Sequence, residues 1–345
     1  YEQGSSRVPS VYLHKIEVTP GGPRIVETDS LPGIYSTTGT LAAADVSGNG
    51  YPDLFIGGRL KPGRYPADAD SRLYINDNGV FRLDEPNTRL FSELGLVTGA
   101  VFSDFTGNHK PDLLVSTEWG TLRLFENRDG RFTEITKDAG IDAFKGLWNG
   151  VATGDFTNNG YPDIVATNRG RNNSFQFDRD EPMRLYFDDF NQDSRTEILE
   201  AVVGGGGEYV PGRKLYHYES VPAIANHMRS HQQFSTTTLP ELFDDQLHDI
   251  PYKEINTLDN MVFLNSGDGF EARLLPAEAQ FSIAFHAGVA DMDNDGYEDI
   301  FITQNFFGVP EQVMRMDTGR GLWLKGDGTG DFLPVPGEQS GIKIY

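Results

Sequence analysis

The chain has 345 residues, of which 51 are acidic and 29 are basic, so its formal charge is −22, while hydrophobic residues make up 38%. This is the composition of a soluble protein with a sizeable core, and its acidity argues against nucleic-acid or anionic-lipid partners and favours bound cations. The sequence contains no cysteine, which excludes disulfides, thiolate metal sites and thiol catalysis.

The N-terminal residues lack the charged start and apolar core of a signal peptide, and no apolar run approaches the roughly 18 residues of a membrane span. We therefore expect no membrane insertion, and we expect that any signal peptide has been removed. The first predicted element is a hairpin formed by the segment VYLHKIEVTPGGPRIVET.

Five acidic phrases follow in chain order, and all carry oxygen-bearing side chains at positions 1, 3, 5 and 9. They are DVSGNGYPD from Asp45, DFTGNHKPD from Asp104, DFTNNGYPD from Asp155, DFNQDSRTE from Asp189 and DMDNDGYED from Asp291. We call them the 45, 104, 155, 189 and 291 loops. An internal repeat of this kind indicates an architecture built from similar units.

Each loop lies between two β-prone runs, and four of the repeats continue into a hairpin with Asn, Asp and Gly at its turn. The hairpins are RLYINDNGVFRLD, LRLFENRDGRFTEI, MVFLNSGDGFEARL and LWLKGDGTGDFLPV. Four antiparallel strands per unit predict an all-β fold, a β-propeller of six to seven four-stranded blades that forms a single domain over residues 1–345.

The repeat lapses between the 189 and 291 loops, where residues 205–258 predict a helical or irregular insertion. Two short helices are expected in VPAIANHMRSHQQF and TLPELFDDQLHDI, bounded by Pro222 and Pro240. The preceding GGGG segment lacks the spacing of a nucleotide-binding loop and indicates a hairpin tip.

The loop spacing suits Ca²⁺, which binds six to eight oxygens from carboxylates, amides, hydroxyls and backbone carbonyls. Position 6 needs a left-handed bend, which glycine provides. Position 7 offers a backbone carbonyl. The predicted ligands, five to a loop, are Asp45, Ser47, Asn49, Tyr51, Asp53; Asp104, Thr106, Asn108, Lys110, Asp112; Asp155, Thr157, Asn159, Tyr161, Asp163; Asp189, Asn191, Asp193, Arg195, Glu197; and Asp291, Asp293, Asp295, Tyr297, Asp299.

The five loops could hold up to five Ca²⁺ ions, and the number of carboxylates in each loop predicts their order of affinity. The 291 loop has four and is expected to bind most tightly, the 189 loop has three, and the others have two each. The 104 loop departs most from the pattern, because His109 replaces the glycine and Lys110 adds a positive charge. Mg²⁺ fits the pattern less well, because it prefers a rigid octahedron with several waters.

These phrases resemble the FG-GAP or VCBS repeats of integrin α-subunit heads and of secreted bacterial proteins. Segments such as GLWNGVATGDF and AQFSIAFHAGVADMDNDGYEDIF are similar to bacterial VCBS-repeat proteins joined to an ASPIC/UnbV module. The resemblance covers most of the chain and implies a secreted, calcium-stabilised propeller of about seven blades. It implies little about a ligand, because propellers host many functions.

Three further chemistries are compatible with parts of the sequence. His227 and His231, four apart on a predicted helix, could bind zinc with His217 or His248, although the Glu of a zinc-protease motif is missing. Asp244 and Asp245 could serve glycoside hydrolysis. A set of tryptophans could stack on sugars but is better explained as packing between sheets: Trp119, Trp148 and Trp323.

The sequence therefore predicts an extracellular or cell-surface calcium-binding propeller without catalytic residues, acting as an adhesion or scaffold module for a protein or glycan partner. The alternative is a secreted polysaccharide-acting enzyme, a lyase or hydrolase, with catalytic residues near the insertion. A pocket on the insertion face with acids, His or Tyr that are not calcium ligands would favour the enzyme.

Overall fold

The computed structural model describes residues 11–173, 175, 177–204, 207–210, 221–227, 230–309 and 315–342. These residues form mostly antiparallel β-sheets, which confirms the all-β class. No closed ring is formed by the described residues, so the count of six to seven blades stays a prediction. No helix in this part of the chain is long and apolar enough to cross a bilayer.

The first two sheets follow the predicted order of strand, acidic loop, strand and hairpin. The N-terminal hairpin pairs β1 (Val11–Thr19) with β2 (Gly22–Leu31). Sheet I contains β3 (Thr38–Ala44), β4 (Asp53–Gly58), β5 (Arg72–Asp77) and β6 (Val80–Leu83). After α1 (Glu85–Leu90), sheet II contains β7 (Leu96–Ser103), β8 (Asp112–Thr121), β9 (Arg123–Arg128), β10 (Arg131–Glu134) and the short β11 (Lys145–Leu147).

The third sheet is interrupted in sequence by another sheet. Sheet III begins with β12 (Gly150–Gly154) and β13 (Asp163–Thr167). The chain then forms the insert sheet from β14 (Met183–Asp188), β15 (Glu197–Gly204), β16 (Gly207–Tyr209) and β17 (Tyr252–Ile255). Sheet III resumes with β18 (Met261–Asn265), which pairs with β13, and with β19 (Phe270–Leu274). Sheet IV contains β20 (Ala284–Ala290), β21 (Asp299–Gln304), β22 (Leu322–Gly326) and β23 (Phe332–Val335), followed by α5 (Gly337–Ser340).

Sheets I to IV stack in sequence order, with β3, β7, β12 and β20 lying side by side. Apolar side chains that alternate along the strands fill the space between successive sheets, as expected for strands with both faces covered. Phe91 of the α1 segment, for example, packs edge-on against Phe125 of sheet II with ring centroids 5.2 Å apart. Among the described residues, β20 does not pack against β3 in this way.

The outer faces of the stack are covered unequally. The N-terminal hairpin places Val11 and Leu31 against Ile56 and Tyr74 on the outer face of sheet I. At the other end, Phe301 and Trp323 of sheet IV are cross-strand partners and remain partly exposed. The cross-strand pairs at the same place in the other sheets are at most 1% exposed beneath the next sheet: Phe55 and Leu73, Leu114 and Leu124, Val165 and Val262.

The insert sheet has helices on one side and sheet II on the other. The covering elements are α2 (Pro222–His227), α3 (His231–Thr236), α4 (Leu239–Phe243) and a 3-10 helix (Asp244–Asp249). Residues such as Val221, Ile224 and Leu239 pack over Tyr186 and Leu199 of the insert sheet. The segment that interrupts sheet III lies between β13 and β18 and thus includes β14 and β15 as well as the predicted 205–258 insertion.

The predicted helix carrying both His227 and His231 is wrong. Ser230 accepts a hydrogen bond from the backbone N of Gln233 at 3.1 Å and begins a new helix, so α2 ends at His227 and α3 begins at His231. The two histidines therefore belong to two separate helices, and their side chains lie outside what the structure describes. His217 lies outside the described residues, and His248 is exposed and paired with Asp249 at 3.1 Å.

The structure locates three further features that the sequence singled out: the acidic pair, two of the tryptophans and the glycine-rich segment. Asp244 and Asp245 lie in the 3-10 helix, and their side chains are outside what the structure describes. Trp119 and Trp148 are 8% and 0% exposed, which confirms that they pack between elements. β15 and β16 pair as a hairpin with Gly204 opposite Gly207, and the two glycines between them lie outside the described residues.

Candidate metal centre

All five acidic loops connect two antiparallel strands, as the sequence predicts. The 45, 104, 155 and 291 loops join the first two strands of sheets I, II, III and IV. The 189 loop joins β14 to β15 of the insert sheet. Within the described part of the chain, no hydrogen bond or ion pair links the 189 loop to the other four.

The loops share one backbone turn. Position 6 has positive φ in every loop, including His109 at 64° and Ser194 at 68° in place of glycine. Position 4 also has positive φ in every loop, which the sequence pattern had not led us to expect: Gly48, Gly107, Asn158, Gln192 and Asn294. Gly and Asn are the residues that tolerate this conformation best, so their repetition at position 4 was the available signal.

The first aspartate of each loop closes this turn. Asp45 accepts hydrogen bonds from the backbone N of Asn49 at 2.9 Å and of Gly50 at 2.8 Å. Asp155, Asp189 and Asp291 do the same with positions 5 and 6 of their own loops. In the 104 loop, Asp104 Oδ2 accepts from the N of His109 at 2.8 Å, whereas its Oδ1 is buried without a hydrogen-bond partner.

The position-9 carboxylate links the loop to the third strand of its sheet. In sheets I to IV this residue is fully buried, and its Oδ2 accepts a hydrogen bond from a backbone N at position 2 or 3 of the loop. Its Oδ1 accepts from the N of Asn76, Asn127, Asn265 or Gly326 on the third strand, at 2.6 to 2.9 Å. Burial raises the pKa of Asp112, and it raises that of Asp163 to about 6.

The third-strand asparagines are functional residues that sequence reasoning missed. Asn127 and Asn265 donate their side-chain Nδ2 to the backbone O of Val46 and Phe105, which belong to the loop of the preceding sheet, at 3.0 and 2.9 Å. These bonds join adjacent loops into one row along the edge of the stack. The signal was the Asn repeated near the end of the third strand in YIND, LFEN and FLN.

Position 5 makes a second tie to the third strand. The Nδ2 of Asn49, Asn108 and Asn159 donates to the backbone O of Asn76, Asn127 and Asn265 at 2.7 to 3.0 Å. The Oδ1 of each asparagine accepts from the N of position 7. The backbone of Tyr51, Lys110 and Tyr161 is thereby held across the turn, where the carbonyl of position 7 was predicted to be a ligand.

Some oxygens of these loops are buried and lack partners. Ser47 Oγ, Asp104 Oδ1 and Thr157 Oγ1, at position 3 or 1 of three different loops, are buried with no hydrogen bond. Such groups cost free energy unless an unseen partner satisfies them. All three belong to the predicted ligand set, and the 104 loop, which departs most from the sequence pattern, is among them.

The 291 loop differs from these three. Oxygens of Asp291, Asp293 and Asp299 lie within 4.8 Å of one another, which is compatible with a shared Ca²⁺, because opposite ligands at about 2.5 Å from the ion are about 5 Å apart. However, Nζ of Lys325 on β22 pairs with Asp293 and, at 2.7 Å, with Asp295. These contacts raise the pKa of Lys325 and lower that of Asp295.

The 189 loop keeps the turn but is less embedded. Glu197 at position 9 accepts from the N of Phe190 at 3.0 Å and from Nδ2 of Asn191 at 3.1 Å, and it is only partly buried. Asp193 accepts from the N of Arg195 at 2.9 Å, as the position-5 residues of the other loops do. All twenty-five predicted residues thus lie in comparable turns, with four loops in or at the end of one row and the fifth on the insert sheet.

Comparisons with known proteins support the repeat. Residues 104–166 match the model of the FG-GAP-like repeat, from the 104 loop through the 155 loop to β13. No curated protein matches the chain. Among solved structures, the exotype rhamnogalacturonan lyase YesX matches with 13% sequence identity and a TM-score of 0.32, over 95% of this chain and 52% of that one. The chain thus spans about half the length of the lyase, and this likeness is too slight to bear on function.

Proposed function

We propose that this protein is a calcium-stabilised, propeller-type binding module that acts outside the cytoplasm, with a protein or glycan as its partner. The main support for a bound metal ion is the set of buried oxygens without hydrogen-bond partners in Ser47, Asp104 and Thr157. Each belongs to a tight turn whose other carboxylate and amide oxygens accept backbone hydrogen bonds. A hard cation at these turns would satisfy the oxygens and neutralise the carboxylates around them.

The propeller rests on the stacking of sheets I to IV and on the FG-GAP-like repeat at residues 104–166. The partly exposed pair Phe301 and Trp323 corresponds to pairs that the next sheet buries elsewhere in the stack. We infer that a further sheet covers this pair in the complete ring. The extracellular setting follows from calcium, because the two-carboxylate loops need the high calcium concentrations found there.

The test is a thermal melt of metal-stripped protein with and without Ca²⁺, combined with elemental analysis of the purified protein. Calcium that binds only the folded state raises the melting temperature, and we expect an increase of several degrees with more than one equivalent bound. Mg²⁺ at the same concentration is the control and should have a smaller effect. An unchanged melt in protein shown to be free of metal would refute the metal proposal.

An enzyme remains the second candidate because of one cavity of about 670 Å³ beside the insertion, within the size range of ligand pockets. Its carboxylates are Asp178 and Asp259. Asp259 pairs with Arg171, with Oδ2 2.9 Å from Nη2, and Asp178 accepts backbone hydrogen bonds from Asp180 and Glu181. No His or Tyr is among the described residues that line it, so this cavity suits binding better than acid–base catalysis.

A reducing-end assay on acidic and neutral polysaccharides would separate the two candidates. The binding module predicts retention on a glycan or protein array without new chain ends. Release of products by the wild type that is lost in Asp259→Asn would favour the enzyme.

A further inference from the structure

Lys325 occupies a special place in the repeat. It lies on the third strand of sheet IV, one residue before Gly326, whose N donates to Asp299 as the third-strand asparagines donate to their own position-9 aspartates. The residues one step before those asparagines are Ile75, Glu126 and Leu264. Sheet IV alone among the four therefore presents a cation at this point of the third strand.

The need for this cation arises from position 5. In the 45, 104 and 155 loops, an Asn at position 5 donates its Nδ2 to a third-strand carbonyl. Asp295 has no such donor, because a carboxylate only accepts hydrogen bonds. Nζ of Lys325, 2.7 Å from Asp295, makes the link between loop and third strand in the opposite direction.

The same ammonium also contacts Asp293 at position 3. The position-3 oxygens of the 45 and 155 loops, Ser47 Oγ and Thr157 Oγ1, are buried and unpartnered. Among the described residues, no side-chain oxygen of the 291 loop is both buried and without a hydrogen-bond partner. The 291 loop thus has a cation of its own where the 45 and 155 loops present an unsatisfied ligand.

We propose that Lys325 is a tethered counter-ion of the 291 loop that competes with calcium for Asp293 and Asp295, and that it makes this loop a weaker calcium site than its four carboxylates indicate. The inference rests on the proposed function, since it concerns the affinity of one of the calcium loops. Its consequence is that the carboxylates of the 291 loop are partly neutralised even without metal, whereas the buried oxygens of Ser47, Asp104 and Thr157 in the 45, 104 and 155 loops stay unsatisfied until an ion binds. The order of affinities would then differ from the order of carboxylate counts.

Luminescence of Tb³⁺, which binds calcium loops and is excited by a nearby tyrosine, can report on this loop alone. Position 7 is Tyr51, Tyr161 and Tyr297 in three loops, and Lys110 or Arg195 in the others. In a Tyr51→Phe, Tyr161→Phe background, which keeps the backbone carbonyls, Tyr297 is the one position-7 sensitiser. Metal-stripped protein is titrated with Tb³⁺ and then with Ca²⁺ as competitor.

In Lys325→Met, the Ca²⁺ dissociation constant of the Tyr297 site, calculated from the displacement titration with the Tb³⁺ affinity measured directly in the same variant, should fall by about tenfold or more, because a positive charge within hydrogen-bond distance of two ligands is removed. Lys325→Gln, which keeps a donor for Asp295 without the charge, should do the same and guards against misfolding of the Met variant. Lys325→Arg should stay near the wild type. Lys15→Met is the control for loss of a lysine charge, because Lys15 pairs with Glu27 at 3.9 Å on the N-terminal hairpin, outside the acidic loops, and should leave the Tyr297 signal unchanged.

A second readout is the melting temperature of the metal-free proteins. Lys325→Met should melt lower than the wild type without calcium and should gain more from calcium, because the uncompensated carboxylates repel one another until the ion binds. Equal calcium affinity in Lys325→Met, Lys325→Gln and the wild type would overturn the inference while leaving the calcium proposal intact. Absence of Tb³⁺ and Ca²⁺ binding at every loop in all variants would instead refute the proposed function, and the inference with it.

Discussion

At the residue scale, two kinds of buried polar group fix the loops and third strands of sheets II and III. The position-9 carboxylate joins the loop to its own third strand, and the third-strand asparagine joins it to the loop of the preceding sheet. Both are fully buried in sheet II, as Asp112 and Asn127. A buried polar group stabilises a fold only when all its hydrogen bonds are made, so these residues define how loop and strand fit together.

Asn127→Ala should lower the free energy of unfolding by about 1–3 kcal/mol, because the backbone O of Val46 and the N of Gly130 lose their partner inside the protein. The measurement is urea-induced unfolding of calcium-loaded protein. Thr133→Ala, an exposed residue of β10, is the control and should change stability by less than about 0.5 kcal/mol. Equal effects of the two changes would contradict the role given to Asn127.

The raised pKa of Asp163 predicts how calcium binding depends on pH. Burial raises this pKa from 3.8 to about 6 in the metal-free fold. The buried carboxyl group is thus most favourable below about pH 4, and its contribution to stability is lost as the pH rises through about 6. Calcium needs the ionised form, so between these values it must displace a proton.

The increase in melting temperature that calcium causes should therefore shrink as the pH falls from about 7.5 to about 5. The measurement compares metal-stripped protein with and without excess Ca²⁺ at each pH. A calcium effect of the same size at both pH values would show that proton release from position 9 does not accompany binding.

At the element scale, the N-terminal hairpin acts as a partial cover for sheet I. Only its base is buried: Val11 and Leu31 are 9% and 4% exposed, whereas Val18 near the tip is 85% exposed. A two-stranded hairpin is marginal by itself in water, so its order depends on this contact with Ile56 and Tyr74.

Leu31→Ala should cost about 2–4 kcal/mol in unfolding free energy, since it leaves a cavity between the hairpin and sheet I. Val18→Ala on the same hairpin removes a smaller and exposed side chain, and we expect a change below about 0.5 kcal/mol. Denaturant-induced unfolding of the two variants and the wild type measures both changes in free energy. If Leu31→Ala were as mild as Val18→Ala, the hairpin would not contribute to the core of sheet I.

At the scale of the whole molecule, the whole insertion between β13 and β18 and the row of acidic loops lie at opposite ends of the strands of sheet III. The 155 loop precedes β13, and the insertion follows it. The two ends of the insertion meet, since the N of Gly170 donates to the O of Leu258 at 2.7 Å. The insertion could therefore be removed without breaking the connection between β13 and β18, although it packs over Leu96, Trp119 and Leu147.

Replacement of residues 172–255 by a short Gly-Ser linker should leave a folded protein with a lower melting temperature, because that apolar surface becomes exposed. The stabilisation by calcium should persist, since the 45, 104, 155 and 291 loops are retained. Circular dichroism melts with and without Ca²⁺ test this, with the full chain as reference. Loss of the calcium effect would place the relevant ions in the 189 loop.

The sequence by itself determined the strands, the hairpins and the five turns, because those features depend on local alternation of apolar residues, on turn residues and on left-handed backbone positions. Glycine at positions 50, 160 and 296 and the repeated acids sufficed for the predicted ligand set. The apolar pattern alone did not show that His227 and His231 belong to two helices, because the second helix begins at an N-cap formed by a single serine, Ser230.

Only the tertiary structure decided the pairings between distant segments. β13 pairs with β18 across the whole insertion, Asn127 reaches Val46, and Lys325 reaches Asp293 and Asp295. None of these follows from a local pattern, because stacking successive sheets sets which side chains meet. The count of carboxylates in a loop is a property of the sequence, whereas the charge that a cation would meet there depends on the neighbours that the fold supplies.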